Sequence, residues 1–140
     1  MNQQPEAITR VKNAIHNPND VRHFMRIRES EVPYAVFYPN NQLIARSEQP
    51  LSLHEVGFDI YDPVIYFPLK DLNPEVQTIN EGRSTHCPLK GNTSYYTLKL
   101  PSGDELPGAM WVYSKPFGWS EMLKDYAAFD PKQLRIVRAD

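Results

Sequence analysis

The stretch S-Y-Y-T-L-K-L-P-S-G-D-E-L-P-G-A-M-W-V-Y, residues 94–113, decides the fold. Tyr95, Thr97 and Lys99 alternate with Tyr96, Leu98 and Leu100, and a period of two is what a strand with one buried face requires. Pro101, Ser102, Gly103 and Asp104 make a turn, and Ala109 to Tyr113 is rich in residues that fill a pleated surface. A short connection of this kind lays the second strand antiparallel to the first. The chain around it carries 13 prolines and 6 glycines, which punctuate it so often that long helices are excluded almost everywhere. The expectation is a mainly β domain of six or more short antiparallel strands.

Upstream, Val64 to Phe67 lies between Pro63 and Pro68 and reads as a short buried strand. Residues 34–38 and 42–46, joined by Pro39-Asn40-Asn41, read as a hairpin, because Asn accepts the positive φ of a tight turn. Residues 21–27 favour a strand with His23, Met25 and Ile27 on one face. Leu51, Leu53, Val56 and Phe58 are apolar without a fixed period. Residues 69–74 are turn-like, and the polar segment 75–82 reads as chain running over the surface. Ile8, Val11 and Ile15 form a helical stripe, so residues 1–20 are taken as an N-terminal extension, partly helical or disordered, before a single domain at 21–140. Downstream, Ser120 is placed as the N-cap of a short helix over 120–127 that Asp130-Pro131 ends, and Leu134 to Val137 is the closing strand.

A chain of 140 residues and 16.2 kDa suits one domain, which buries roughly 68–70% of the surface its unfolded form exposes. Fifteen basic against 17 acidic residues, a net charge of -2, give no global field for a polyanion, so no nucleic-acid partner is expected. A single cysteine excludes an intrachain disulfide and a thiolate-rich zinc site within one chain. His16, His23 and His54 lack ligand spacing with one another and with His86, so neither a metal nor another cofactor is expected. The first residues lack the character of a signal peptide and no apolar run reaches membrane-spanning length, which points to the cytoplasm and to no membrane partner. A monomer or weak homodimer is the expected state.

Reactive side chains concentrate in R-S-T-H-C-P-L-K-G-N-T-S-Y-Y, residues 83–96. Cys87 is the candidate nucleophile, but an ordinary thiol of pKa about 8.5 is only a few per cent thiolate at neutral pH and needs a cation, which Lys90 or Arg83 can supply. Against this, Cys87 also reads as a small buried hydrophobe at a loop corner. Lys90 and Gly91 pair a cation with a closely approaching backbone, a combination that holds a carboxylate or phosphate, unless Lys90 is a solvated turn lysine. Tyr66, Tyr95 and Trp111, with Tyr96 and Tyr113, either line a concave pocket or belong to the core. Glu29, Glu31, Glu48 and Glu55 show no paired arrangement for acid–base work. Three readings stay open. The leading one is a small-ligand domain in which the loop 83–91 (Arg83, His86, Lys90 and Gly91) and Tyr66, Tyr95 and Trp111 bind an anionic small molecule. The second is a cysteine-dependent enzyme, for redox, acyl or nucleotidyl transfer, using Cys87. The third is a protein interaction module.

Four pieces recur in one order: Y-F-P-L-K-D-L at 66–72, T-H-C-P-L-K-G at 85–91 with S-Y-Y at 94–96, A-M-W-V-Y-S-K-P at 109–116 and D-Y-A-A-F-D at 125–130. Together they resemble the bacterial family known as domain of unknown function 427. The C-P-x-K-G segment is the most specific part, and Leu89 stands where that family often has an aromatic. The resemblance implies a β-tent, or Mss4-like, arrangement of small antiparallel sheets with one or two short helices. This chain lacks the paired cysteines that hold zinc in other domains of that fold. The family's name has been associated with nucleotidyl transfer, but no glycine-rich phosphate loop with paired acidic metal ligands is present here.

Overall fold

The computed structural model describes residues 10–140, and it is built from strands in three antiparallel sheets. Chain order runs β1 (Ile15–Asn17), β2 (Asp20–Glu29), β3 (Tyr34–Phe37), β4 (Leu43–Ser47), β5 (Leu51–Val56), β6 (Val64–Pro68), β7 (Gln77–Asn80), β8 (His86–Cys87), β9 (Gly91–Asn92), β10 (Ser94–Lys99), β11 (Glu105–Val112), β12 (Tyr126–Phe129) and β13 (Arg135–Arg138). Eight strands form the main sheet in the order β1-β2-β5-β6-β12-β11-β10-β7; β13-β3-β4 form a second sheet, and β8-β9 a two-stranded one. Helical structure among the described residues is limited to 3₁₀ segments at Leu69–Asp71 and Gly118–Leu123. No helix there is long and apolar enough to cross a membrane.

Alternation of side chains gives the main sheet two working faces. Phe67, Met110, Val112, Ala127 and Phe129 point one way and pack with Val36, Ile44 and Leu134 from the three-stranded sheet and its approach. Their neighbours in sequence, Tyr66, Trp111, Tyr113 and Ala128, point the other way and pack with Met25, Leu53, Leu89 and Leu123. The second face is covered by Cys87 and Leu89 of the loop 83–91 and by Leu123, not by another large sheet, and this placement puts Cys87 and the buried Lys90 against the core.

The hairpin of β3 and β4 forms as the asparagines require: Asn41 takes φ 69° and its N–H donates to the Tyr38 carbonyl at 2.8 Å. Other elements correct the sequence reading. Ile15, read as part of a helical stripe, opens a strand that pairs with Met25; Ile8 of that stripe lies outside the described residues. The polar segment before the reactive loop contains β7, an exposed edge strand on β10. The helix expected over 120–127 is a 3₁₀ segment that ends at Leu123, and Tyr126 and Ala127 belong to a strand bonded to β6 and β11. Ser120 does not cap it; its hydroxyl donates to the Leu89 carbonyl at 2.5 Å. Asp125, at φ 65°, makes the sharp change of direction between the two.

β11 begins four residues before Ala109 because the strand passes through a bulge. Between the pairs Leu98 with Leu106 and Tyr96 with Met110, β11 carries two residues more than β10. Pro107 has no N–H to lose there, and Gly108 takes φ 64°, which a side chain resists. The bulge turns the Gly108 N–H outward, onto Glu81 Oε2 at 2.6 Å.

Candidate functional site

The register of β2, β5 and β6 brings together residues that are far apart in sequence. Met25 opposes Glu55 and Leu51 opposes Tyr66, so His23, Glu55 and Tyr66 share the face that the loop 83–91 covers. The loop arrives there through a turn in which the Lys90 N–H donates to the Cys87 carbonyl at 3.2 Å, Pro88 supplying the fixed φ such a turn favours. Leu89, fully buried, anchors it. Gly91 takes φ 109°, and a Cβ there would stand 3.2 Å from the Lys115 carbonyl, so only glycine fits. The carbonyl of Lys90, the residue before it, accepts a backbone bond from the Phe117 N–H at 3.2 Å.

The result is a buried ionic centre. Lys90, only 8% exposed, donates from Nζ to Glu55 Oε1 at 2.6 Å. His23 Nε2 donates to Glu55 Oε2 at 2.8 Å, and the Asn17 amide approaches His23 Nδ1 at 3.2 Å. Burial pushes the Glu55 carboxyl up, but the Lys90 charge and the hydrogen bonds from His23 and Lys90 outweigh it and hold the pKa below the ordinary 4.5. Burial likewise works against the Lys90 ammonium, and Tyr66, Glu55 and Cys87 more than offset it, leaving it above 10.5. Both partners are charged at neutral pH. Tyr66 and Tyr113 are pushed up, chiefly by burial, and so keep their phenolic protons. The Lys90 ammonium lies 5.7 Å from the centre of the Tyr113 ring. Half-buried Cys87 packs on the same cluster, as does Trp111.

A second arrangement lies on the outer side of the loop. Thr85 and Thr93 clasp its two limbs: the Thr93 N–H donates to the Thr85 carbonyl at 2.8 Å and the Thr85 N–H to Thr93 Oγ1 at 2.8 Å. Arg83 lies with its guanidinium 4.0 Å from the centre of the Tyr95 ring and 3.2 Å from Glu81 Oε1. Glu81 is itself held by Thr97 at 2.6 Å and by the bulged Gly108 N–H, and these bonds, the Thr97 hydroxyl first, keep its pKa low. Arg83 and Lys115 border a concavity of about 320 Å³ whose walls include Ser84, Asn92, Ser94 and Ser114. Among the described residues, Lys115 has no side-chain hydrogen-bond or ion-pair partner.

The sequence candidates therefore divide between two places. Cys87, Lys90, Tyr66 and Trp111 meet in the buried centre. Arg83 borders the outer concavity, and Tyr95 supports it through its ring without lining the concavity. Gly91 shapes the backbone between them, and exposed His86 bonds Asn92 Oδ1 at 2.8 Å and meets the Phe117 ring. Lys90, expected to face a ligand, faces Glu55. In the sequence Glu55 shows no paired acid–base arrangement and His23 no ligand spacing, Tyr113 is one of the aromatics read as pocket wall or core, and Glu81 and Lys115 are not among the candidates. No short-range signal joins Glu55 to Lys90, which are 35 positions apart. No group of three or more His, Cys, Asp or Glu suited to a metal ion occurs among the described residues.

The family model described as Domain of unknown function (DUF427) matches residues 26–140. No curated protein matches the chain.

Proposed function

Because the chain belongs to the DUF427 family, a family whose description assigns no activity, function must be argued from the site, and we propose that this domain binds a small anionic molecule between Arg83 and Lys115. The observation that carries this reading is the concavity of about 320 Å³ lined by Arg83, Lys115, Ser84, Ser94, Ser114 and Asn92. Arg83 is preorganised: Glu81 holds its Nε and one Nη and the Tyr95 ring supports the guanidinium, while Lys115 contributes a charge with no ion-pair partner among the described residues. Fixing a fork in advance lowers the ordering cost of binding a carboxylate or phosphate. Lys90, whose charge is taken up by Glu55, leaves the recognition of the anion to these two residues.

Titrating ¹⁵N-labelled protein with inorganic phosphate, pyrophosphate and a small dicarboxylate tests the reading. One of the three is expected to shift the amides of Gly82, Ser84, Asn92 and Lys115 saturably, and Arg83→Gln to weaken that binding about tenfold, the scale of one charge-assisted bond. Failure of all three anions to shift these amides, or equal affinity in Arg83→Gln, would refute it.

A further inference from the structure

The buried centre contains more hydrogen-bond donors than the protein uses. Lys90 has three N–H donors, and a single bond, to Glu55, accounts for one of them. Tyr113 is 5% exposed, and its hydroxyl has no hydrogen-bond partner among the described residues. Yet no fully enclosed side-chain nitrogen or oxygen lacks a partner among the described residues. The Tyr113 hydroxyl is therefore reached from outside, although the ring is buried. A donor that the protein leaves unused and that solvent reaches is open to an incoming acceptor. Tyr66, 1% exposed, adds a second buried phenol with the Trp111 side chain as its polar neighbour. Half-buried Cys87 packs on the cluster that contains both phenols, Tyr66 and Tyr113.

We propose that Cys87 is an acylatable nucleophile, and that the Tyr113 hydroxyl and the two remaining Lys90 N–H donors receive the oxyanion formed when its sulfur attacks an ester or thioester. The deprotonated sulfur adds to the carbonyl carbon, the C–S bond forms, and the carbonyl electron pair moves onto oxygen. Collapse of the adduct expels the alcohol or thiol oxygen or sulfur with its bonding pair and leaves S-acyl Cys87. The thiol proton departs to solvent at the half-exposed sulfur. Water then adds across the acyl–sulfur bond, releasing a carboxylic acid and restoring the thiol. Glu55 and His23 are positioning residues here, since they hold Lys90 and do not touch the reacting atoms. The substrate class is an activated acyl compound, and the inference is independent of anion binding at Arg83 and Lys115.

The test uses 4-nitrophenyl acetate as acyl donor and iodoacetamide as control, because alkylation creates no oxyanion. Peptide mass spectrometry is expected to place acetyl on Cys87, formed at least tenfold faster than on N-acetylcysteine at the same pH. Tyr113→Phe, which removes an unpaired hydroxyl and should fold normally, is expected to slow acetylation about tenfold or more with alkylation unchanged. Should Tyr113→Phe fail to fold, the comparison of the parent protein with N-acetylcysteine still decides. Acetylation no faster than that of the free thiol, acetyl found elsewhere, or equal effects of Tyr113→Phe on both reagents would overturn the proposal.

Discussion

Glu55→Ala is expected to destabilise the domain by about 3–5 kcal/mol, the usual consequence of removing one partner of a buried ion pair. Lys90 is the reason. Its ammonium is almost enclosed and its one bond is to Glu55 Oε1, so the substitution leaves a buried charge with no counter-charge. Domains of this size are typically stable by only about 5–15 kcal/mol, so such a loss is visible as a large fall in the urea midpoint. Replacing both members, with Glu55→Leu and Lys90→Met, should cost much less than the two single changes added together, because neither charge is then stranded. Additive losses in that cycle would show that the pair does not interact as the 2.6 Å contact implies.

The same pair sets a pH window. Glu55 has a folded pKa below 4.5, so the stability it contributes is present above that value and is lost as pH falls through the folded pKa. Lys90 has a folded pKa above 10.5, so its contribution is complete below that value and is lost as pH rises through the folded pKa. Stability of the parent should therefore be flat, as far as this pair is concerned, between roughly pH 5.5 and 9.5. The Glu55→Leu, Lys90→Met protein should lose less than the parent at either extreme. Urea melts across pH measure the difference directly.

What the sequence reveals depends on how local the deciding interaction is. The hairpin of β3 and β4, and the strands β6 and β10, announce themselves because proline, asparagine or a period of two sits within a few residues. β12 does not: Y-A-A-F has a helix former at its centre, and what makes it a strand is its position between β6 and β11. β7 is hidden because all four of its residues are exposed, so no alternation marks it. The reactive loop was legible as a concentration of chemistry, and it does bring Cys87 and Lys90 to the core together with Tyr66. Its partner was not legible, because Glu55 becomes adjacent only when Met25 pairs with it across β2 and β5 and the loop folds over that face. The outer concavity depends similarly on a bulge: Pro107 and Gly108 are visible as punctuation, but their consequence, a backbone N–H that grips Glu81 and so aligns Arg83, needs the register of β10 and β11.

Leu89→Ala is expected to cost about 2–5 kcal/mol and to loosen the site more than any exposed change in the loop. Leu89 is fully buried in the cluster with Met25, Leu53, Tyr66 and Leu123. It is also where the Gly118–Leu123 segment is fastened, since its carbonyl accepts from Trp119 Nε1 at 2.8 Å and from the Ser120 hydroxyl. Truncation removes the apolar plug between the loop and the sheet while leaving Cys87 and Lys90 chemically intact. If the plug holds the loop down, amide exchange in the variant should speed up at Cys87, Lys90 and Gly91 well beyond the change at β3 and β4, which belong to the other cluster. Acetylation of Cys87 should slow as its donors lose their alignment, while alkylation by iodoacetamide should rise with exposure of the sulfur. Exchange that accelerates equally everywhere would mean that Leu89 contributes only bulk stability, and that the loop is held in place by its clasp at Thr85 and Thr93.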